Sequence, residues 1–101
     1  MTTANKNLSF FDKKSIPNAS NFKFGVVVSK WNEKITNNLL KGVLDTLYSF
    51  NVIESNIVIF EVPGSFELIY GAKKINEKNV DAIICLGSII KGETKHFDFI
   101  S

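Results

Sequence analysis

Three short apolar runs decide what this chain can become. Phe24-Gly25-Val26-Val27-Val28, Ile57-Val58-Ile59-Phe60 and Ala82-Ile83-Ile84-Cys85-Leu86 are rich in β-branched residues and lack the apolar-polar alternation of a strand with one wet face. Runs of this kind are strands covered on both sides, so all three are expected as central strands of a parallel sheet. Parallel neighbours cannot be joined by a tight turn and need long, usually helical crossovers. The sequence supplies them. Residues 33–50 place Ile35, Leu39, Leu40, Val43, Leu44 and Leu47 at three- and four-residue spacings, which predicts one helical stripe with Asn32 as its cap and Asn51 as a left-handed stop. Residues 66–77 repeat the pattern more weakly. There Phe66, Ile69, Ala72 and Ile75 are expected to face inward, Ser65 or Gly64 to cap the start, and Gly71 to cost the helix some stability. The expected order is β-α-β-α-β with right-handed crossovers, a three-layer α/β/α arrangement around an open parallel sheet.

Composition narrows the class further. With 101 residues, 45% of them hydrophobic and 22% charged, the chain has the make-up of one globular domain and not of a disordered or fibrous protein. Its net charge is +2, and the lysines lie among acids, as in Glu33-Lys34 and Glu77-Lys78, instead of forming the stripe that nucleic-acid binding requires. All 12 basic residues are lysines, so arginine, the side chain best suited to forked capture of a phosphate, is missing. The single cysteine, Cys85, sits in an apolar run, where a small core residue is expected and a reducing compartment fits. The first seven residues are polar and no long apolar segment follows, so neither a secretory signal nor a membrane span is expected and the cytoplasm is the simple location. Residues 1–21, with Pro17 and one apolar island at Leu8-Ser9-Phe10-Phe11, are expected as a flexible arm ahead of a domain over residues 22–101. Residues 94–101 read as the first turns of a third helix that stops without a cap or a following strand, as though the domain were cut short.

Topology limits where chemistry can sit, because ligands of open parallel sheets bind beyond the carboxyl ends of the strands. The candidates are the three segments that follow the strands. Trp31 is the only tryptophan and stands at a strand-to-helix junction beside Asn32, where a flat ring can stack on a heteroaromatic ligand or simply pack. In Pro63-Gly64-Ser65-Phe66-Glu67, a Pro-Gly turn leaves backbone amides free at a helix start while Glu67 accepts hydroxyl hydrogens or complements the helix dipole. The third segment, from Gly87 to His96, nearly matches a phosphate-binding P-loop, but Glu93 stands where that motif needs lysine, which argues against a nucleotide triphosphatase. A smaller phosphate suits the amides and hydroxyl of Gly92-Glu93-Thr94, with Lys91 or Lys95 nearby. His96, the only histidine, has the side chain suited to proton transfer near neutral pH, and with no second histidine or cysteine beside it neither a zinc site nor a cysteine-histidine dyad is expected.

The three segments together resemble one family. Val28-Ser29-Lys30-Trp31-Asn32 with Ile35-Thr36, then Val62-Pro63-Gly64-Ser65-Phe66-Glu67, then the run from Leu86 through Gly87-Ser88-Ile89-Ile90-Lys91-Gly92-Glu93-Thr94-Lys95-His96 to Phe97-Asp98 are similar, in order and spacing, to lumazine synthase over residues 22–101. The resemblance implies a flavodoxin-like α/β fold and a transferase of riboflavin biosynthesis. Such an enzyme condenses 5-amino-6-(ribitylamino)uracil with 3,4-dihydroxy-2-butanone 4-phosphate, without a cofactor, to 6,7-dimethyl-8-ribityllumazine, phosphate and water. Carried across by position, the resemblance implies that Trp31 stacks on the pyrimidine with Asn32 beside it and that Ser65, Phe66 and Glu67 hold the ribityl chain. It further implies that Ser88, Ile89 and Ile90 line the uracil edge, that Gly92, Glu93 and Thr94 receive the phosphate, and that His96 moves protons. It also implies a homo-oligomer, a pentamer or a shell of pentamers, with active sites shared between subunits, no nucleic-acid partner and no membrane. In that family a later region supplies a phosphate-binding arginine, an aromatic residue for the neighbour's site, one more strand and the closing helices. The rival readings are a non-catalytic binding or shell-forming homologue, against which Trp31, Glu67 and His96 together argue, and a flavodoxin-like or receiver-type signalling domain, neither of which strand order alone excludes. The receiver reading lacks its clustered acids after the first strand.

Overall fold

A computed structural model describes residues 12–92 and 96–100, the side chains of Lys13, His96 and Ile100 excepted. After a 3-10 turn at Lys13–Ser15 come strand β1 (Phe24–Ser29), helix α1 (Glu33–Ser49), strand β2 (Ile57–Val62), helix α2 (Leu68–Asn76), strand β3 (Ala82–Leu86) and helix α3 (His96–Ile100). The expected α/β order is therefore the observed one. The strands form a three-stranded sheet in the order β2-β1-β3, and both pairings are parallel. Phe24 stands beside Ile57 on one side and Ala82 on the other, so the three strands start level and end within one residue of one another. At their amino ends Lys23 and Asp81 clamp β1 to β3: the Lys23 N–H donates to Asp81 Oδ2 and the Asp81 N–H to the Lys23 carbonyl, both at 2.7 Å.

Only β1 is a central strand among the described residues, which corrects the expectation for β2 and β3. Val26 and Val27 are fully buried and Val28 nearly so, each burial contributing about 1.5–3 kcal/mol. Val27 faces α2 and packs with Val62 and Ile75 in the core cluster, with Phe60, Leu68 and Ile83 around it. Val26 and Val28 point the other way, as alternation along a strand requires, toward α1, which packs on β1 and β3. Because α1 does not extend over β2, Ile59 stays 45% exposed. Cys85 shares a row with Val27 and Phe60 but lies on the outer strand β3 and is exposed, which corrects its reading as a core residue. The burial it does have pushes its thiol up from the ordinary value.

The termini of the helices show where local rules held and where packing overrode them. α1 ends in a Schellman motif: Asn51 is left-handed at φ 72°, its N–H donates to the Tyr48 carbonyl at 3.0 Å, and the Val52 N–H donates to the Leu47 carbonyl at 3.1 Å. Val52 is buried beneath this turn. Along α1 the stripe is only partly used, since Leu40, Val43, Leu44 and Leu47 are half-buried while Ile35 and Leu39 remain exposed and Thr36 is buried instead. The Thr36 hydroxyl is satisfied by donating to the Glu33 carbonyl at 3.3 Å. In α2 the inward face consists of Leu68, Gly71, Ala72 and Ile75, not the expected Phe66, Ile69, Ala72 and Ile75. Ile69 is 78% exposed, and Phe66 belongs to a separate 3-10 turn, Ser65–Glu67, that precedes α2. No helix among the described residues is long and apolar enough to cross a membrane.

Candidate functional site

In the order β2-β1-β3 the chain leaves β1 toward one side and later returns to the other, and the crevice at such a switch point is where ligands of open sheets bind. Here a cleft of about 440 Å³ opens at that edge, lined by Trp31, Pro63, Gly64, Ser65, Phe66, Glu67, Ser88, Ile89, Ile90 and Phe97. Its size falls within the range of small-molecule sites. Residues from all three strand exits meet there because the strands run the same way and end within one residue of one another.

Trp31 is held at its place by the backbone while its ring stays free. The Lys30 N–H donates to the Val62 carbonyl at 2.8 Å and the Trp31 N–H to the Pro63 carbonyl at 3.0 Å, so the segment after β1 continues the pairing with β2. The indole itself is 66% exposed. Asn32 then turns the chain into α1 through a left-handed conformation, φ 59° and ψ 55°, which asparagine tolerates better than most residues. Its carbonyl accepts the Ile35 and Thr36 N–H groups, but its side chain makes no capping bond, which corrects its expected role as a side-chain cap. Asn32 does not line the cleft.

The turn after β2 brings Phe66 and Glu67 to the opposite wall. Oε1 of Glu67 accepts the Gly64 N–H at 2.9 Å. The carboxylate thus closes its own turn with one oxygen. Phe66, 57% exposed, faces the cleft with Trp31 and Phe97, so the lining is aromatic and apolar with a few polar points. Behind it the Ser65 hydroxyl donates to the Ser88 carbonyl at 2.8 Å, joining the exit of β2 to the exit of β3 across β1.

Three polar atoms near this edge are buried and have no partner among the described residues: Ser29 Oγ, Asn32 Nδ2 and Ser88 Oγ. A buried donor without a partner costs about 1–3 kcal/mol. Such orphans call for an explanation in strain or function.

Of the expected substrate-binding residues, the structure therefore gathers Trp31, Ser65, Phe66, Glu67, Ser88, Ile89 and Ile90 around one cleft and leaves Asn32 behind it. Gly92 is exposed and does not line the cleft. Glu93 and Thr94 lie outside the described residues, as does the side chain of His96, whose backbone opens α3 one residue before the cleft-lining Phe97. Phe97 is the lining residue that reading the sequence for polar chemistry passed over. An aromatic residue in the first turn of a helix that follows a strand exit was its available signal.

Comparison with known proteins agrees with this geometry. A family model described as 6,7-dimethyl-8-ribityllumazine synthase matches residues 21–101. Proteins named 6,7-dimethyl-8-ribityllumazine synthase from Flavobacterium psychrophilum and Flavobacterium johnsoniae are 54% and 55% identical over 101 residues, which is 99% of this chain and 53% of each relative. One of the same name from Christiangramia forsetii is 53% identical over 102 residues, covering 99% of this chain and 61% of the relative. The chain thus spans little more than half the length of the curated relatives it matches.

Proposed function

Because the chain belongs to the 6,7-dimethyl-8-ribityllumazine synthase family, we propose that the full chain condenses 5-amino-6-(ribitylamino)uracil with 3,4-dihydroxy-2-butanone 4-phosphate in riboflavin biosynthesis. The observation that carries this reading is the single cleft shared by Trp31, the turn after β2 and the exit of β3. A planar ring with a polar chain fits such a lining. Trp31 stacks on the pyrimidine, Ser88, Ile89 and Ile90 border its edge, and the amides of Ser65 and Phe66 with the carboxylate of Glu67 hold the ribityl hydroxyls. Gly92, Glu93 and Thr94 receive the phosphate, and His96 relays protons.

In this mechanism the uracil amine attacks the ketone and loses one water to give an imine, phosphate leaves by elimination, and ring closure with loss of a second water yields the lumazine. None of these steps passes electrons to an outside acceptor, so no redox cofactor is required. Holding two reactants in register contributes most of the acceleration, since well-oriented partners gain effective molarities on the order of 10⁵–10⁸ M. The site lies between subunits of a homo-oligomer, a pentamer or larger, working in the cytoplasm. The exposure of Trp31, Phe66 and Ile90 at the cleft mouth supports a neighbouring subunit that covers it.

The test is direct. The full chain, given both substrates, will form the fluorescent lumazine and release phosphate in step. A protein that makes no product and binds neither the uracil nor the lumazine overturns the reading. Trp31→Ala will weaken lumazine binding by about 1–3 kcal/mol through lost stacking, seen as a raised Kd in a fluorescence titration. Unchanged affinity assigns Trp31 to packing alone.

A further inference from the structure

β2 and β3 are not neighbours. β1 lies between them, so their exits start roughly two strand spacings, about 9–10 Å, apart. The Ser65 hydroxyl spans this gap by donating to the Ser88 carbonyl at 2.8 Å. A planar trans peptide has its C=O and N–H pointing in opposite directions. Fixing the Ser88 carbonyl toward Ser65 therefore also fixes the Ile89 N–H away from it, and both Ser88 and Ile89 line the cleft. Gly87 makes the approach possible. A Cβ there would stand 2.8 Å from both Ser65 Oγ and Leu68 Cδ1, closer than side-chain carbons pack.

We propose that the Ser65 hydroxyl is a positioning group: it braces the exit of β3 against the turn after β2, sets the plane of the Ser88-Ile89 peptide, and so raises affinity for a planar ring that it does not itself touch. The effect on ring affinity rests on the reading of the cleft as a lumazine site. The brace does not. Removing one hydrogen bond of this kind is worth roughly a three- to tenfold change in an equilibrium.

The experiment compares Ser65→Ala, Ser65→Thr and Gly87→Ala with the unaltered full chain by two measurements: amide hydrogen exchange without ligand, and fluorescence titration with 6,7-dimethyl-8-ribityllumazine. In Ser65→Ala the amides of residues 88–90 will exchange roughly three- to tenfold faster while those of α1 do not change. The lumazine Kd will rise by a similar factor. Ser65→Thr, which keeps the hydroxyl, will restore both values to within about twofold. Gly87→Ala will also loosen residues 88–90, and adding Ser65→Ala to it will cause less further loss than Ser65→Ala does alone, because the clashing oxygen and the brace are then the same atom. Unchanged exchange at residues 88–90 in Ser65→Ala overturns the brace, as does equal loss in the alanine and threonine variants. Loosened exchange with an unchanged Kd overturns the control of affinity. If the unaltered protein does not bind the lumazine, the ring-binding reading and the claim on affinity fail together, and the exchange data still decide the brace.

Discussion

Replacing Gly71 by leucine will prevent the domain from folding cooperatively, and even alanine at this position will destabilise it. By helix propensity alone, glycine in the middle of α2 costs about 1 kcal/mol relative to alanine, so Gly71→Ala should help. Packing reverses the sign. A Cβ at Gly71 collides with Cγ1 of Val27 and would lie 3.0 Å from Cγ1 of Val62 and 3.3 Å from Cδ2 of Phe60. Val27 is fully buried and Val62 nearly so, so neither can yield into solvent. Overpacking of this kind costs about 1–3 kcal/mol per intrusion, enough to outweigh the gain in propensity. Gly42, in the middle of α1, is the control. A Cβ there meets nothing within 4 Å, and Gly42→Ala will raise stability by about 0.5–1 kcal/mol. Urea unfolding of the two alanine variants should thus move the midpoint in opposite directions. A higher midpoint for Gly71→Ala would mean that α2 is free to move off β1.

On the proposed mechanism, His96→Ala will lower kcat by about a hundredfold, at the low end of what a positioned acid-base group contributes, while KM for either substrate moves little. The backbone of His96 starts α3 beside the cleft-lining Phe97, and imidazole is the side chain suited to proton transfer near neutral pH. In the proposed reaction the uracil amine is already a fair nucleophile, so the rate that remains will reflect two substrates held together. A fluorescence assay of product formation reads the rate, and its pH profile adds a second criterion: the limb due to imidazole will vanish in the variant. A rate within twofold of the unaltered enzyme, with the limb intact, would remove His96 from the proton path.

Much of the fold was legible because each element carries a local signature. β1, β2 and β3 fall on the three apolar runs, and α1 falls on its stripe within a residue of the expected bounds. Asn51 stops α1 in the left-handed conformation expected of it, since that preference belongs to the residue and its own backbone. The errors have a common source. Asn32 looked like a side-chain cap, yet the path from β1 into α1 required a left-handed turn instead. Cys85 looked like core, yet it lies on an outer strand. Phe66 and Ile69 looked inward, but Phe66 belongs to the 3-10 turn before α2, and Leu68 and Gly71 face the sheet beside the expected Ala72 and Ile75.

The site divides in the same way. Trp31, Glu67 and the segment after β3 stood out in the sequence as candidates at strand exits, and the parallel direction of the strands, itself read from the missing alternation, was sufficient to bring them to one edge. That Ser65 reaches Ser88, that Glu67 closes its turn on Gly64, and that Phe97 completes the lining depended on contacts between segments far apart in the chain. Periodicity and residue type are properties of neighbours along the backbone, and so determine elements and their order. Distances across the cleft are properties of packed surfaces, which exist only once α2 has settled on β1.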